Sequence, residues 1–368
     1  MGICLAHPDR CRACVRRLVG RRRAGLVHLR IFSEYRDRRC VRRLVHGHPY
    51  RDHRGKPDLP QHRAEDHQPL GYAALTSLGD HPVTITIQIP VKPLDNPLAA
   101  EVVGLDLNMD LDDQTIADLH KAWMAYPVLV VRGQENLTME RHLEYSRRFG
   151  DLQRHTVKEI LHPEFPEILV LSNRGRGGAQ PINNGGAYWH SDITYEDVPP
   201  MGSILHGLIT PPEGGDTLYA DMTAAYDALD DATKAKLEGL KAIHTYRTRY
   251  EAMMNAGVRP VKTEEELSQW TEVIHPIART HPETGKKAIF VNEGFTSRVE
   301  GMSDNESRDL LEHLFEHSTQ DQFVYRHKWQ QGDVVMWDNR CTMHRATDYD
   351  LSQERSMHRT TVRGTRPV

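Results

Sequence analysis

Apolar and polar positions alternate in short, distinct patterns from Val83 to the end of the chain. Residues 83–89 read Val-Thr-Ile-Thr-Ile-Gln-Ile, and this alternation of β-branched residues predicts a strand. Asp112–Tyr126 carries apolar residues at the 3.6-residue period of an amphipathic helix and has an acidic start. The same criteria predict strands at 99–107, 127–131, 168–171, 189–195, 202–210, 216–221, 287–292, 322–328, 333–337 and 355–363, and helices at 137–149, 222–240, 263–273 and 303–317.

The order of these elements indicates the fold class. Short strands flank helical insertions, which favours a mainly β fold such as a sandwich or jelly roll over an alternating βαβ sheet. No G-x-G-x-x-G or Walker motif lies between a predicted strand and a predicted helix. This absence argues against the dinucleotide-binding and P-loop folds.

Charge divides the chain at the same place as the hydrophobic pattern does. The 368 residues have a formal net charge of −4, but residues 1–82 contain 17 Lys and Arg against 8 Asp and Glu. Residues 83–368 therefore carry a net charge of −13. The first segment also holds eight of the 22 histidines and four of the five cysteines, and it shows no regular hydrophobic period. We treat residues 1–82 as an extension and residues 83–368 as the folded domain.

Four interpretations of the extension stay open. The segment could serve as an Arg-rich nucleic-acid-binding arm, as a zinc module or as a transit peptide, or it could be translated upstream sequence that the native protein lacks. It holds only one C-x-x-C pair, so the paired spacing of a strong zinc signature is missing. A zinc module would draw on Cys4, Cys11, Cys14, Cys40, His46 and His48.

The position of the methionines bears on the same segment. No methionine lies between Met1 and Met109, and the strand pattern begins at Val83. We expect the native protein to start at Val83, read from an alternative GTG codon. Residues 1–82 are then an unstructured Arg-rich extension or are not made at all, because they have too little patterned apolar surface to fold.

A candidate metal site combines two motifs that lie far apart in the sequence. His190-Ser-Asp192 places a histidine and a carboxylate two positions apart on a predicted strand, so both side chains point to one face. Downstream, Trp337-Asp-Asn-Arg runs into Cys341-Thr-Met-His344. Two histidines and one carboxylate occupy one face of an octahedral metal and leave the opposite face open, as in non-haem Fe(II) oxygenases. A third ligand from a distant strand, such as His344, would complete that set.

Two arginines follow the second motif. Arg355 opens the stretch Arg-Ser-Met-His-Arg that ends at Arg359, and on a strand these two side chains share a face. Two guanidinium groups inside one barrel cost free energy unless anions meet them. Because arginine holds carboxylates bidentately, a dicarboxylate cosubstrate and an anionic substrate are suitable partners.

Seven short motifs occur in order along residues 83–368. They are Trp189–Asp192, Pro212–Thr217, Ala224–Leu229, His281–Gly285, Phe290–Gly294, Trp337–His344 and Arg355–Arg359. In their order and number they resemble the taurine dioxygenase family of Fe(II)- and 2-oxoglutarate-dependent dioxygenases. This family also includes alkylsulfatases and dichlorophenoxyacetate dioxygenases.

The resemblance implies a fold and a set of ligands. The expected fold is mainly β with helical insertions, a double-stranded β-helix or jelly roll. The resemblance implies that His190, Asp192 and His344 bind iron. It also implies that Thr217 and Arg355 hold the distal carboxylate of 2-oxoglutarate.

The substrate site that the resemblance implies departs from the taurine pattern. His155 falls where the family has a sulfonate-contacting histidine, and Arg359 matches the sulfonate-binding arginine. Lys158 stands in place of an expected tyrosine, and Gly186 in place of an expected asparagine. Ile193 completes the expected substrate-binding set. An anion site is retained, whereas the two departures argue against taurine itself and leave other sulfonates, sulfate esters and aryloxy acids open.

The activity implied is hydroxylation of a small anionic organic substrate with Fe(II), 2-oxoglutarate and O2, releasing succinate and CO2. The alternatives are an aryloxyalkanoate or alkylsulfate dioxygenase and, outside enzymes, an Arg-rich nucleic-acid-binding protein. We expect no nucleic-acid partner for residues 83–368. No run of 18 apolar residues exists, so we expect no membrane span and a cytoplasmic protein. A homo-oligomer stays open.

Overall fold

The computed structural model describes residues 89–175, 177–179, 181–182, 186–257 and 259–368, all within one unit of the chain, Gly71–Val368. The extension 1–82, its boundary with the folded domain and, apart from Ile89, the strand expected at 83–89 lie outside these described residues.

Strands make up most of the regular structure in the described part of the chain. They are β1 (Val91–Pro93), β2 (Ala99–Val102), β3 (Val128–Val131), β4 (Leu169–Ser172), β5 (Gly202–Ile209), β6 (Thr217–Asp221), β7 (Lys241–His244), β8 (Val273–Pro276), β9 (Ala278–Thr280), β10 (Lys287–Ile289), β11 (Thr296–Val299), β12 (Val324–His327), β13 (Val334–Asp338), β14 (Thr342–Ala346) and β15 (Ser356–Val362).

The helices lie in the connections between strands. Each begins after a side chain that accepts a backbone N–H, as Asp112 does from Thr115, which satisfies one of the free donors of the first turn. None of the helices that the structure describes is long and apolar enough to span a bilayer. The helices are α1 (Asp113–Ala125), α2 (Met139–Arg147), α3 (Met222–Asp227), α4 (Asp231–Leu237), α5 (Tyr246–Asn255), α6 (Glu264–Leu267) and α7 (Asp304–Ser318), with 3-10 turns at Lys158–Ile160 and Asp321–Phe323.

Two sheets face each other. A seven-stranded sheet has the order β1-β2-β3-β13-β5-β15-β4, and a three-stranded sheet has the order β12-β6-β14. All pairs in both are antiparallel except β2 with β3. Two further small sheets, β11-β7-β8 and β10-β9, flank them. The architecture is therefore mainly β with helices inserted between strands, as the hydrophobic pattern predicted.

The core lies on both faces of the seven-stranded sheet, because successive side chains of a strand point to opposite faces. On β13, Val335 and Trp337 pack between the two sheets against Tyr219 of β6. Val334 and Met336 of the same strand pack on the other face, where α1 covers them. The inner layer between the sheets is the one that adjoins the predicted ligands.

Several predicted elements need correction. Residues 189–195 do not form a strand, because only His190 makes a β-bridge and residues 192–195 form a turn. The helix predicted at 222–240 is two helices, since Asp230 caps a new one. The helix predicted at 263–273 ends at Leu267, and the helix α5 before it had not been predicted. All these differences fall in connections, where tertiary contacts outweigh local periodicity.

Candidate active site

Two backbone hydrogen bonds join the segments that carry the predicted metal ligands. The His190 N–H donates to the His344 carbonyl at 3.1 Å, and the His344 N–H donates to the His190 carbonyl at 2.7 Å. His344 lies on β14, whereas His190 lies in the irregular segment 189–195. This antiparallel bridge holds the two imidazole centroids 4.2 Å apart. The convergence thus comes from one bridge and not from a continuous strand.

His190, Asp192 and His344 converge and are all buried. The Nε2 atom of each histidine lies 3.9 Å from Oδ1 of Asp192, and the three ligand atoms lie within 4.8 Å of one another. One ion between them is within reach of two imidazole nitrogens and one carboxylate oxygen. That donor set suits a divalent transition metal with an open face.

The Asp192 carboxylate is held from several sides. Ser203 Oγ donates to its Oδ2 at 2.7 Å, and Arg359 Nη1 donates to its Oδ1 at 2.7 Å. The Asn339 side-chain carbonyl accepts the Asp192 backbone N–H at 3.3 Å and the Trp337 indole N–H at 3.0 Å. Burial opposes ionisation of Asp192, but the positive charge of Arg359 and the hydrogen bond from Ser203 favour the carboxylate and hold its pKa below the usual value. The carboxylate is therefore ionised and fixed in orientation.

Both imidazoles have the protonation state that a metal requires. Burial lowers the pKa of His190 and of His344, so both rings are neutral at pH 7. The Nδ1 atom of His190 lies 2.8 Å from the Tyr188 carbonyl oxygen, to which its N–H donates in the matching tautomer. The Nε2 lone pair then faces Asp192, as in metal sites whose histidines are oriented through their second nitrogen.

Two of the predicted substrate-binding residues lie next to the three candidate ligands. Arg359 contacts Asp192 directly, and the charges of both residues influence the pKa of His155. Burial, reinforced by the Arg359 charge, lowers the pKa of His155 to about 4. The His155 ring is therefore neutral at pH 7, with Nδ1 accepting the Val157 N–H at 3.1 Å.

Arg355 is a cation without an anionic partner among the described residues. Its Nε atom is buried without a hydrogen bond, its Nη2 lies 3.4 Å from the Gly215 carbonyl oxygen, and a cavity of ≈ 30 Å³ adjoins it. Such a guanidinium lowers its free energy when it meets an anion. Thr217, on β6, accepts the Trp329 indole N–H through Oγ1 at 3.0 Å.

The other predicted substrate-binding residues occupy different positions. Lys158 is exposed and, with His155, lines an open cleft of ≈ 460 Å³. Gly186 has a φ of 79°, and a Cβ there would lie 3.3 Å from Cε1 of His190, so glycine lets the chain pass close to that ring. Ile193 is buried and has a φ of 52°, the one positive φ of a non-glycine residue in the described segments. A β-branched residue in this region is strained, and such strain collects at functional sites.

A second buried group of potential metal ligands comprises His281, Asp338 and Cys341. Its carboxylate is already engaged, because Arg340 donates from Nε to Oδ1 at 2.9 Å and from Nη2 to Oδ2 at 2.7 Å. His281 Nε2 lies 3.0 Å from Oδ2 of Asp338. These contacts fix the turn between β13 and β14, which carries Asn339 toward Asp192. The group is part of the scaffold of the site.

Aromatic side chains that the sequence pattern did not indicate form a cluster that begins at His190. The Tyr188 ring stacks on the His190 ring with centroids 4.5 Å apart, and Phe295 lies 6.1 Å from it. Tyr195 packs against Phe295 at 4.9 Å and against Tyr246 at 5.3 Å. We call Tyr188, Tyr195, Tyr246 and Phe295 the aromatic group. In the sequence, the one feature that points to this group is that Tyr188 directly precedes the motif Trp189–Asp192 and Phe295 directly follows the motif Phe290–Gly294.

Comparison with known proteins gives matches over most of the chain. The family model described as taurine catabolism dioxygenase TauD, TfdA family matches residues 90–361. An alpha-ketoglutarate-dependent 2,4-dichlorophenoxyacetate dioxygenase from Cupriavidus pinatubonensis is 35% identical over 287 residues, covering 75% of this chain and 98% of that protein. An alkylsulfatase from Acinetobacter baylyi is 34% identical over 287 residues, covering 76% and 86%. The crystal structure of AAD-2 in complex with Mn(II) and N-oxalylglycine has a TM-score of 0.63 and 35% identity, covering 76% of this chain and 99% of that chain.

The ion pair between Asp192 and Arg359 yields a prediction for metal-free protein. In the presence of a chelator, Asp192→Ala leaves the Arg359 guanidinium, which is 7% exposed, without its carboxylate. Removing one partner of a buried pair costs about 3–5 kcal/mol, so the free energy of unfolding in a urea titration should fall by that amount. The double variant Asp192→Ala/Arg359→Met should recover most of the loss. An equal loss in both variants would assign the stabilisation to Ser203 and Asn339 instead.

Proposed function

Because the chain belongs to the taurine catabolism dioxygenase TauD, TfdA family and is an alpha-ketoglutarate-dependent dioxygenase, we propose that it hydroxylates a small anionic organic substrate at a centre formed by His190, Asp192 and His344. The convergence of these three side chains carries the proposal. The substrate, O2 and 2-oxoglutarate would give the hydroxylated substrate, succinate and CO2. We also infer that the two facing sheets are those of a double-stranded β-helix.

The three residues fit Fe(II). Two neutral imidazoles and an ionised carboxylate are present without rearrangement, and the Tyr188 carbonyl orients His190. When bound, Fe(II) supplies the activation of O2 that side chains alone do not provide. Ser203 holds the second oxygen of Asp192, which keeps Oδ1 directed at the two Nε2 atoms.

The cosubstrate site is assigned to Arg355 and Thr217. The unpaired Arg355 guanidinium would bind the distal carboxylate of 2-oxoglutarate, because arginine offers two parallel N–H donors to a carboxylate. The Thr217 hydroxyl retains acceptor and donor capacity beyond its bond from Trp329. Burial of the guanidinium strengthens the attraction, since solvent screens the two charges less there.

The substrate site is assigned to Arg359 and His155, with Lys158, Gly186 and Ile193 around them. The cleft of ≈ 460 Å³ that His155 and Lys158 line falls within the range of about 300–1,000 Å³ typical of small-molecule sites. Because Lys158 and Gly186 depart from the taurine pattern, we propose another sulfonate, a sulfate ester or an aryloxy acid, in keeping with the names of the dichlorophenoxyacetate dioxygenase and alkylsulfatase relatives.

A substrate panel tests the proposed function. With Fe(II), 2-oxoglutarate and O2 present, we expect substrate-dependent succinate release for at least one sulfonate, sulfate ester or aryloxy acid, and less for taurine. The reason is that Arg359, which matches the family's sulfonate-binding arginine, binds an acid group, whereas Lys158 and Gly186 depart from the taurine pattern. Taurine as the best substrate would refute the second half of the proposal, and faster turnover of a neutral compound would refute the first half.

The metal assignment is tested through His344. We expect His344→Ala to abolish substrate-dependent 2-oxoglutarate turnover and to remove stoichiometric Co(II) binding in calorimetry, because one of three ligands is lost. Far-UV circular dichroism should be unchanged. His313→Ala, at an exposed position of α7, is the matched control and should behave as wild type. Full activity in His344→Ala would contradict the assignment of His344 as a metal ligand.

The cosubstrate assignment is tested through Arg355. Truncating one side of a buried charge pair costs about 2–5 kcal/mol, so Arg355→Ala should raise the KM for 2-oxoglutarate by about tenfold or more. Arg326→Ala removes an exposed arginine that pairs with Asp216 and should leave this KM unaltered. An unchanged 2-oxoglutarate dependence in Arg355→Ala would transfer the role to another residue.

A further inference from the structure

Arg249, on α5, lies against the aromatic group beside the candidate metal centre. Its guanidinium carbon lies 3.9 Å from the centroid of the Tyr188 ring, whose stacking on His190 has a centroid distance of 4.5 Å. At these distances the Arg249 guanidinium and the His190 imidazole cannot both lie on the same face of the Tyr188 ring. The Tyr188 ring therefore lies between them. Arg249 thus has a fixed orientation near His190 through stacking alone.

Stacking leaves the hydrogen-bond donors of Arg249 available. A guanidinium that lies flat on a ring uses its face, while its five N–H groups point outward in the plane. Arg249 is half-buried and forms no ion pair with any carboxylate that the structure describes. Its neighbour Arg247 differs, because Glu251 and Glu264 accept from it at 2.8 and 2.7 Å.

The charges around the three ligands are therefore unequal. Asp192 pairs with Arg359 at 2.7 Å, so the charge that this arginine offers to a substrate is partly compensated within the protein. Arg355 lines a separate small cavity and is assigned to the cosubstrate. Arg249 is a cation near His190 that forms no ion pair with a described carboxylate, and it lies beside the four rings of the aromatic group.

We propose that Arg249 selects for an anionic substrate by binding its oxyanion, while the aromatic group packs against the flat apolar part of the same molecule. The inference rests on the proposed function and narrows its substrate class to aryl or similarly flat acids. Arg359 and His155 keep their place next to Asp192, and Arg249 supplies the charge that distinguishes an acid from its neutral analogue.

Binding of phenoxyacetate and of phenoxyacetamide tests the proposal without turnover. The two compounds share one shape and differ in charge. Calorimetry on the full chain with Mn(II) and 2-oxoglutarate, without O2 and at low ionic strength, compares wild type with Arg249→Gln and Arg247→Gln. We expect wild type and Arg247→Gln to prefer the acid by about tenfold or more, and Arg249→Gln to lose that preference while its affinity for the amide is unchanged.

Each outcome decides the proposal. Preference for the acid in Arg249→Gln, no preference in wild type, or binding of neither compound to wild type would overturn it. Should Arg249→Gln fail to fold, Arg249→Lys keeps the charge without the planar fork and should retain the preference with weaker affinity for the acid; an affinity equal to wild type would refute recognition by the guanidinium. Measurement of succinate release tests the dioxygenase activity separately from the role of Arg249. If an acid is turned over and Arg249→Gln has no effect on the preference, the role of Arg249 is wrong and the proposed function stands. An Arg249-dependent preference without 2-oxoglutarate turnover by any acid rejects the proposed function alone.

Discussion

The buried Asp192 carboxylate is the contact on which the arrangement of this site depends. It receives hydrogen bonds from Ser203 on β5 and Arg359 on β15, and its backbone N–H is held by Asn339 at the end of β13. Three strands of the seven-stranded sheet are thereby tied to one irregular segment. A buried charge of this kind is stable only when its partners satisfy it, so the sheet and the segment must form together.

The irregular segment is positioned by long-range contacts instead of by its own secondary structure. Its backbone bridge to His344 sets the distance between the two imidazoles, and the strained φ of Ile193 follows directly after Asp192. On the far side of the turn, Thr194 accepts a hydrogen bond from the Asn292 amide at 3.1 Å. The surrounding structure thus over-determines a conformation that costs about 1–3 kcal/mol for a residue held in such a region.

The arginines near His190, Asp192 and His344 have the same side chain but different electrostatic surroundings. Arg359 is neutralised within the protein, whereas Arg355 and Arg249 have no carboxylate partner in the described residues. Arg355 is fixed beside a cavity, and Arg249 is fixed by stacking on Tyr188. Because an ion pair within the protein reduces the charge that a ligand experiences, the two unpaired arginines attract anions from solution more strongly than Arg359 does.

The sequence by itself determined the mainly β character and the strand that carries Arg359, because side-chain alternation and residue type are local properties. His190, Asp192 and His344 were singled out by a family resemblance, and the structure brings these three side chains together. The strand expected through His190 was wrong, since a single bridge to β14 replaces it. Only the tertiary structure decided that Arg359 pairs with Asp192, that Gly186 passes close to His190, and that the aromatic group meets there. These contacts join residues far apart in the chain through irregular segments, and no period in the sequence records which of them will meet.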